Sequence, residues 1–302
     1  MYDIIVIGGG PAGLTAALYA RRQNKTVLVL EKSSFGGQTV YSPKIENYPG
    51  FKEMSGVEFS DKLVDQVLDQ GAELEMEEVV NVLDNGSTKT VLTEDSEYEA
   101  KAVIVATGAK HRMLGLEGEE NFVGNGISFC AVCDGAFYNG KDVAVIGGGN
   151  SALQEALLLS LNCRSVHIIQ NLGFLTGEEK LIESINSKDN IKITLNTVVT
   201  GIIGDNTLEG IRVNNTENGA ESIVTVDGVF VAIGLIPDND CAKNIIELDE
   251  RGYAKADEST VTSVEGIFVA GDCRTKSIRQ IATAISDGAT AALSACKYIE
   301  SK

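Results

Sequence analysis

The sequence predicts an α/β fold with two Rossmann-like domains, the second inserted in the first. A glycine-rich turn between a strand and a helix occurs twice, at residues 8–13 and 147–152. Each copy ends in a matching apolar strand and turn, at residues 105–108 and 231–234. One more strand pattern, residues 267–272, follows both copies, and a parallel sheet begun by the first copy could take it. The chain therefore repeats a whole domain plan rather than a short solenoid unit.

The first copy contains the full pattern of a dinucleotide site. Residues 3–7 are typical of a buried parallel strand, a helix is predicted over about 14–23, and a strand over 27–30 ends at an acid. In G-x-G-x-x-G the first glycine permits a tight turn, the second lets a diphosphate approach the backbone, and the third lets helix and strand pack closely. The acid can accept hydrogen bonds from ribose hydroxyls. The predicted binding residues here are Gly8, Gly10, Pro11, Ala12, Gly13 and Glu31.

The second copy follows the same order. A strand is predicted over residues 142–146, a helix over about 151–161 and a strand over 165–169. Strand-like segments with turn signals come next in both copies, around residues 79–83 and 89–93 in the first and 198–203, 209–214 and 222–227 in the second. A last helix is predicted over about residues 278–299.

Composition excludes several classes of protein. The 302 residues suffice for two domains, and 43% hydrophobic with 23% charged residues is globular. A net charge of -18 argues against nucleic acid or an anionic membrane surface as the main partner. The apolar runs are shorter than a membrane span, and the first residues lack the features of a secretory signal. We therefore expect a cytoplasmic protein.

Two of the six cysteines form a C-x-x-C pair, Cys130 and Cys133. A zinc site would need a second ligand pair, and neither histidine has useful spacing. A redox pair fits better than a buried structural pair, because two intervening residues keep the sulfurs within bonding reach and a helix start would lower the pKa of one thiol. Asp134, directly after the pair, is either a proton-transfer acid or a helix-capping residue. The other cysteines are expected to be small buried hydrophobes: Cys163, Cys241, Cys273 and Cys296.

The combination of motifs resembles the low-molecular-weight thioredoxin reductases over essentially the full length. The resemblance is carried by residues 8–13, 36–38, 46–50, 106–108, 130–135, 147–152, 271–272 and 279–280. It implies an FAD domain formed by residues 1–113 and 239–302, and a pyridine-nucleotide-type domain, residues 114–238, that carries the cysteine pair. It also implies a homodimer, with the inserted domain swinging between two orientations.

The resemblance assigns further roles. Further FAD-site residues would be Gly37, Gln38, Asn47, Thr107, Gly108, Asp272, Arg279 and Gln280. Cys133 would be the thiol nearer the flavin, Cys130 would attack the disulfide of thioredoxin, and Asp134 would be the proton-transfer acid. The residues alone do not distinguish the roles of the two cysteines.

The second copy departs from this family where NADPH would bind. The usual members carry His-Arg-Arg and a further Arg for the 2′-phosphate, whereas residues 166–175 contain no arginine and the loop looks one residue shorter. Each missing charge-assisted bond removes about 1.5–3 kcal/mol. Gln170 also replaces the acid that would hold the free 2′-hydroxyl of NADH.

This departure resembles the ferredoxin-dependent flavin thioredoxin reductases, which lack pyridine-nucleotide determinants. Reduced ferredoxin is therefore the expected donor, docking on local positive charge offered by Lys110, Arg112, Arg274 and Lys276. Three alternatives stay open: a thioredoxin reductase fed weakly by NADPH or NADH, a dithiol oxidase that passes electrons to oxygen, and a non-enzymatic redox sensor.

Overall fold

The computed structural model describes residues 1–42 and 45–302, which form two compact units. Unit 1 is discontinuous and contains residues 1–110 and 236–302. Unit 2 is the continuous stretch 111–235. The chain passes between the units at 110/111 and 235/236, whereas the predicted boundaries are 113/114 and 238/239.

The described residues contain six α-helices and seventeen strands. The helices are α1 (Pro11–Arg22), α2 (Gly56–Asp69), α3 (Ala131–Asp134), α4 (Asn150–Leu159), α5 (Glu179–Asn186) and α6 (Ile281–Glu300). The strands are β1 (Tyr2–Ile7), β2 (Val27–Leu30), β3 (Glu73–Glu75), β4 (Val79–Asp84), β5 (Lys89–Thr93), β6 (Glu97–Val105), β7 (Ala109–His111), β8 (Ile127–Ser128), β9 (Asp142–Ile146), β10 (Ser165–Ile169), β11 (Ile191–Thr194), β12 (Thr197–Ile203), β13 (Gly210–Asn215), β14 (Glu221–Thr225), β15 (Gly228–Val231), β16 (Leu235–Pro237) and β17 (Ile267–Val269). None of the helices in the described ranges is long and apolar enough to cross a membrane.

Unit 1 is built on a seven-stranded sheet. Six of its strands have the order β3-β2-β1-β6-β5-β4, and the seventh, β17, lies off this path. Strands β3, β2, β1 and β6 are parallel, whereas β5 and β4 continue the sheet in antiparallel fashion. The late strand β17 pairs in parallel with the carboxyl half of β6. The predicted return of the chain to the first sheet is therefore confirmed, and with it the α/β fold class.

The two faces of this sheet bury alternate residues. Ile4 and Val6 of β1 face a cluster that includes α1 and α6, and Ile5 and Ile7 face the opposite cluster. This period of two explains why a continuous apolar run forms a strand covered on both faces. Packing on both faces fixes the carboxyl end of β1, where the first glycine turn begins.

Unit 2 repeats the plan on a smaller scale. Its main sheet has the order β11-β10-β9-β15-β8, with all pairs parallel. A separate antiparallel sheet consists of β12, β13 and β14. Strand β8, which ends two residues before the first cysteine of the pair, lies beside β15.

Three predicted boundaries were wrong by three residues each. Helix α1 begins at Pro11 rather than residue 14, because Gly10 is its N-cap and proline suits the first helical position. Strand β17 ends at Val269 rather than residue 272, since residues 271–273 form a 3-10 turn. Helix α6 begins at Ile281 rather than residue 278, because Gln280 caps it in a capping box.

Several elements were not predicted, among them α2, α5, β3 and β11. Helix α2 carries clear signals: Ser55 accepts a hydrogen bond from the Glu58 N–H at 3.0 Å, and Phe59 and Val67 are buried. Helix α2 lies in the crossover connection between β2 and β3, which pair in parallel.

Candidate active site

The glycine turn of unit 1 leaves an open space in front of α1. A Cβ added to Gly8 would lie 2.3 Å from the Ala106 oxygen, and one added to Gly13 would lie 1.8 Å from the Gly8 oxygen. Only glycine therefore fits at these two positions. At Gly10, by contrast, no atom of the described ranges lies within 4 Å of an added Cβ. The helix N-terminus thus faces room for a ligand, and its exposed N–H groups favour an anion.

Glu31 lies directly beside this turn. One carboxylate oxygen accepts a hydrogen bond from the Gly9 N–H at 2.6 Å, and the other accepts from the Ser33 N–H at 2.9 Å. The side chain is buried. Glu31 thus holds the turn in place, and its predicted contact with ribose stays a prediction.

A cavity of about 420 Å³ opens beyond the ends of β1 and β2. Lys32 at its wall donates to Asp238 at 2.7 Å and to Glu78 at 3.3 Å. Burial alone would raise the pKa of Asp238, but the hydrogen bond and charge of Lys32, together with the charge of Lys110, lower it below its usual value. Neither Lys32 nor Asp238 was predicted as a site residue. The lining includes the predicted residues Gly8, Glu31 and Thr107.

The other predicted ligands of unit 1 approach the same turn from different segments. A Cβ on Gly37 would lie 3.2 Å from the Gly10 Cα. The amide of Asn47 donates to the Gln280 side-chain oxygen at 3.1 Å, which joins two segments 233 residues apart. Gln38 is exposed on the 3-10 turn Gly37–Tyr41.

The Gly-Asp turn after β17 also reaches the start of α1. A Cβ on Gly271 would lie 2.9 Å from the Ala12 Cβ, and Gly271 has φ +81. Arg279 stacks over the Tyr253 ring with 4.3 Å between the guanidinium carbon and the ring centroid. One carboxyl oxygen of Asp272 is buried without a hydrogen-bond partner in the described part of the chain, and burial raises the pKa of this group. Such an oxygen is costly unless a donor reaches it.

The open space at Gly10 and the Asp272 oxygen that accepts no hydrogen bond both fit a dinucleotide cofactor. The first accommodates a diphosphate close to the backbone. The second offers an acceptor for a hydroxyl or N–H group of a bound ligand. Unit 1 therefore has the cradle and the polar partner that such a cofactor needs.

Two of the four predicted docking cations are not on the surface. The Arg274 side chain is 2% exposed and binds Asp287 through both carboxylate oxygens, at 2.9 and 2.8 Å. The Lys276 side chain is 6% exposed and lies 2.9 Å from the same carboxylate. The prediction that Arg274 and Lys276 offer docking charge was wrong, because both side chains are buried in ion pairs with Asp287. Arg112 is exposed, and the Lys110 side chain is 60% exposed.

Asp287 was missed by the sequence analysis, although it orders the Gly-Asp turn. Besides its two cations it accepts a hydrogen bond from the Gly271 N–H at 3.0 Å. Burial opposes the charge of Asp287, but the hydrogen bonds from Arg274 and Lys276 hold its pKa below the usual value. An acid in the middle of a helix gives no local signal of such a role.

Cys130 and Cys133 form a disulfide in unit 2, with 5.3 Å between their Cα atoms. Cys130 is the N-cap of the one-turn helix α3, and its sulfur accepts a hydrogen bond from the Cys133 N–H at 3.2 Å. The predicted helix start at the pair is therefore present. Val132 between the cysteines is 58% exposed, so the chain beside the disulfide is open to solvent.

Asp134 directly follows Cys133 in the chain, and its two carboxyl oxygens are in different environments. One accepts a hydrogen bond from the Ser128 hydroxyl at 2.7 Å. The other is buried and has no hydrogen-bond partner within the described ranges. Burial raises the pKa of Asp134, and the bond from Ser128 partly opposes this rise. Asp134 does not cap α3 through its side chain, since Cys130 occupies the N-cap position.

Metal binding has no support in the described residues, where no three His, Cys, Asp or Glu side chains form a possible metal site. Burial lowers the pKa of His111 and of His167 to about 4. His111 stacks on Phe129 with 4.7 Å between ring centroids.

The glycine turn of unit 2 has nearly the same backbone as that of unit 1. Gly149 caps α4 with φ -86 and ψ 179, and Gly10 caps α1 with φ -77 and ψ -177. The residue directly after the second strand differs, since it is Glu31 in unit 1 and Gln170 in unit 2. The Gln170 side chain is buried and lies 2.5 Å from the position of a Cβ on Gly148. The place of a ribose-binding acid is thus filled by an amide.

The loop after Gln170 folds back onto this turn. The Gly148 oxygen accepts hydrogen bonds from the N–H groups of Thr176 and Gly177, at 2.8 and 3.1 Å. The Asn150 side chain donates to the Glu178 carboxylate at 3.0 Å and accepts from the Glu178 N–H at 2.7 Å. A carboxylate therefore stands at the first residue of α4, where a dinucleotide would place negative charge.

Comparisons with known proteins match the whole chain. The family model of the pyridine nucleotide-disulphide oxidoreductases matches residues 2–288. A thioredoxin reductase of Listeria monocytogenes is 41% identical over 301 residues, which cover 99% of this chain and 94% of that protein. The 34.2 kDa protein in the rubredoxin operon of Clostridium pasteurianum is 40% identical, covering 99% and 98%. The crystal structure of a thioredoxin reductase from Streptococcus pyogenes matches with a TM-score of 0.95 at 39% identity, covering 100% of this chain and 99% of that one.

Proposed function

This chain belongs to the pyridine nucleotide-disulphide oxidoreductase family, and we propose that it uses FAD to reduce the disulfide of thioredoxin through Cys130 and Cys133. Thioredoxin reductases are among its relatives over nearly the full length. The observation that carries the proposal is the disulfide at the start of α3, followed directly by the half-buried carboxyl of Asp134. Unit 1 is then the FAD domain, and unit 2 is the pyridine-nucleotide-type domain that carries the pair.

The residues of unit 1 would hold FAD around the first glycine turn. FAD, when bound, supplies a centre that can collect electrons one at a time and deliver them as a pair. Gly10 and the N-terminus of α1 would receive the diphosphate, and Asp272 would accept a hydrogen bond from the bound cofactor. The proposed set is Gly8, Gly10, Pro11, Ala12, Gly13, Glu31, Gly37, Gln38, Asn47, Thr107, Gly108, Asp272, Arg279 and Gln280.

The cysteine pair then performs disulfide exchange. In the reduced pair, the Cys130 thiolate attacks a thioredoxin sulfur, which breaks the thioredoxin disulfide and forms a mixed disulfide. Asp134 gives its proton to the thiolate that leaves thioredoxin. Cys133 then attacks the Cys130 sulfur, which restores the Cys130–Cys133 disulfide and releases the second thioredoxin thiol. Thioredoxin gains two electrons from the cysteine pair and two protons, one from Asp134 and one from the Cys133 thiol.

We propose that the electron donor is reduced ferredoxin rather than NADPH. No arginine is present in residues 166–175 to bind a 2′-phosphate. Gln170 fills the space beside Gly148, and Glu178 puts a carboxylate at the first residue of α4. Negative charge there disfavours a second negative charge from a diphosphate. These features favour a donor that does not bind at this turn.

The energetics of this donor are favourable. Plant-type ferredoxins lie near −400 mV and thioredoxin near −270 mV, a drop of roughly 130 mV, or about 6 kcal/mol for two electrons. Docking of an acidic carrier on a chain with net charge -18 needs local positive charge. Of the predicted cations, Lys110 and Arg112 are exposed and stay in the proposal.

One observation favours a second candidate, a thioredoxin reductase fed weakly by NADPH or NADH. The backbone at Gly149 is as extended as that at Gly10, so the shape of the unit 2 turn is still that of a dinucleotide site. Binding through this turn alone would lack the contacts to the adenosine ribose. We expect such a reductase to have a high KM and little preference between the two nucleotides.

The test is an anaerobic reduction of the FAD-loaded protein followed through the visible flavin band. We expect rapid bleaching with reduced ferredoxin, slow or no bleaching with NADPH or NADH, and recovery of the band on adding thioredoxin disulfide. Rapid bleaching by NADPH would overturn the choice of donor. Recovery only on adding oxygen, with peroxide formed, would instead indicate the dithiol oxidase.

A homodimer in the cytoplasm completes the proposal, in keeping with the resemblance to the thioredoxin reductases. Sedimentation of the FAD-loaded protein tests the oligomeric state. A species with twice the chain mass of 32.0 kDa supports the dimer, and a monomer at micromolar concentration contradicts it.

A further inference from the structure

We propose that Ser128 is a positioning residue that holds the Asp134 carboxyl in place to deliver a proton during disulfide exchange. The inference rests on the proposed function of the Cys130–Cys133 pair. Ser128 ends β8 and is 4% exposed, so its hydroxyl cannot exchange its partners for water. No sequence motif singles it out.

The Ser128 hydroxyl joins Cys130 to Asp134. Its oxygen accepts a hydrogen bond from the Cys130 N–H at 3.1 Å. Its own proton goes to the Asp134 carboxylate at 2.7 Å. A backbone N–H can only donate and an ionised carboxylate can only accept, so the direction of both bonds is fixed. One side chain therefore ties the first cysteine of the pair to the acid that follows the second.

This bridge makes the two oxygens of Asp134 unequal. The oxygen bound by Ser128 is occupied, whereas the other is buried without a hydrogen-bond partner in the described residues. A transferable proton consequently resides on the free oxygen. Gain or loss of that proton leaves the Ser128 bond intact, because a protonated carboxyl still accepts through its other oxygen. Asp134 can thus be protonated and deprotonated without breaking its hydrogen bond from Ser128.

The bridge also affects the pH at which Asp134 gives up its proton. Burial raises the pKa of Asp134, and the bond from Ser128 lowers it. Removal of the hydroxyl therefore raises the pKa of Asp134 further. Among the titratable groups nearby, Glu155 belongs to α4, which packs against α3, and Tyr138 interacts with Asp134 and with Asp227 before β15. Burial and these charges raise the pKa of Tyr138 to about 12, so it stays neutral. The limb of a pH–rate profile that reports Asp134 should move to higher pH.

Two probe disulfides distinguish proton delivery from a merely structural role. An alkyl disulfide such as bis(2-hydroxyethyl) disulfide releases a basic thiolate that needs a proton. The aromatic disulfide 5,5′-dithiobis(2-nitrobenzoic acid) releases a stable thiolate that needs none. Leaving-group basicity governs this exchange, so only the alkyl probe should report the Asp134 proton. In both reactions the protein dithiol is oxidised to its disulfide, while the alkyl probe is reduced to two thiols and the aromatic probe to two thiolates.

The experiment measures both rates against pH for the reduced, FAD-loaded protein. Ser128→Thr keeps the hydroxyl. Ser128→Val removes the hydroxyl and has the same side-chain shape as the threonine variant. We expect the valine variant to react about tenfold more slowly with the alkyl probe, with its limb about one pH unit higher, and normally with the aromatic probe. The threonine variant should match the wild type. Ser184→Ala, which removes an exposed hydroxyl bonded to the Lys180 oxygen on α5, is the control and should change nothing.

Three outcomes would overturn the inference. The valine and threonine variants could show the same limb, the valine variant could slow both probes equally, or Asp134→Asn could leave the alkyl rate unchanged. A variant combining Ser128→Val with Asp134→Asn should be no slower than Asp134→Asn alone, since both act through one group. Failure of the proposed function is seen separately, as a wild-type protein that reacts with both probes but not with thioredoxin.

Discussion

Replacing Gly10 by alanine should separate binding of FAD from folding. The φ of -77 and ψ of -177 at Gly10 are allowed for alanine, and the added Cβ meets no described atom within 4 Å. If that space belongs to the diphosphate, the methyl group occupies it in the folded protein. The substitution should therefore weaken binding of FAD without disturbing the fold of the protein.

The expected magnitudes follow from this geometry. Glycine to alanine at a compatible backbone stabilises by about 0.4–1 kcal/mol, and loss of glycine at an N-cap costs a similar amount. The free energy of unfolding of the FAD-free protein should thus change by less than about 1 kcal/mol. Displacing the diphosphate from one backbone N–H removes about 1.5–3 kcal/mol, or roughly 10- to 150-fold in FAD affinity.

The assay is a flavin-fluorescence titration of the FAD-free protein, paired with its urea unfolding. The matched control is Gly149→Ala, because Gly149 caps α4 of unit 2 with almost the same backbone angles. The control should bind FAD like the wild type. Unchanged FAD affinity in Gly10→Ala, or an equal loss in Gly149→Ala, would refute the assignment of the diphosphate to the unit 1 turn.

Three further predictions concern stability. Gly13→Ala should fail to fold stably, as judged by loss of the cooperative urea transition, because its Cβ would lie 1.8 Å from the Gly8 oxygen. Asp287→Ala should lower the free energy of unfolding by about 3–5 kcal/mol, because Arg274 is left buried without its main partner; a loss below about 1 kcal/mol would contradict this. Burial raises the pKa of Glu155 to about 8, above its ordinary value of 4.5, so stability should fall as pH rises from 4.5 to 8. Glu155→Gln should remove this dependence and gain on the order of 3 kcal/mol near pH 7 in urea unfolding, whereas parallel pH curves for variant and wild type would contradict it.

The sequence predicted the parts of the fold that are encoded by local patterns. The strand of residues 27–30, the two glycine turns and the C-x-x-C pair all depend on neighbours within about ten residues. The inserted second domain could also be predicted, because its apolar strand and turn repeat those of the first. These signals are periodic or sterically strict, so few other structures satisfy them.

What the sequence could not give depends on single side-chain contacts that follow no periodic pattern. Arg274 looks like a surface charge until Asp287, 13 residues away in α6, is seen to bind it. The role of Ser128 appears only when its hydroxyl is placed between Cys130 and Asp134. Neither contact leaves a local pattern, because an isolated charge or serine is compatible with many environments.

The central claim is that electrons pass between FAD and the Cys130–Cys133 disulfide, and an anaerobic reductive titration tests it most directly. The FAD-loaded protein should take up about two electron pairs, one for the flavin and one for the disulfide. A variant with both cysteines replaced by serine should take up about one pair and fail to reduce thioredoxin. Equal uptake by the wild type and the double variant would show that the disulfide does not exchange electrons with the flavin, and would contradict the account.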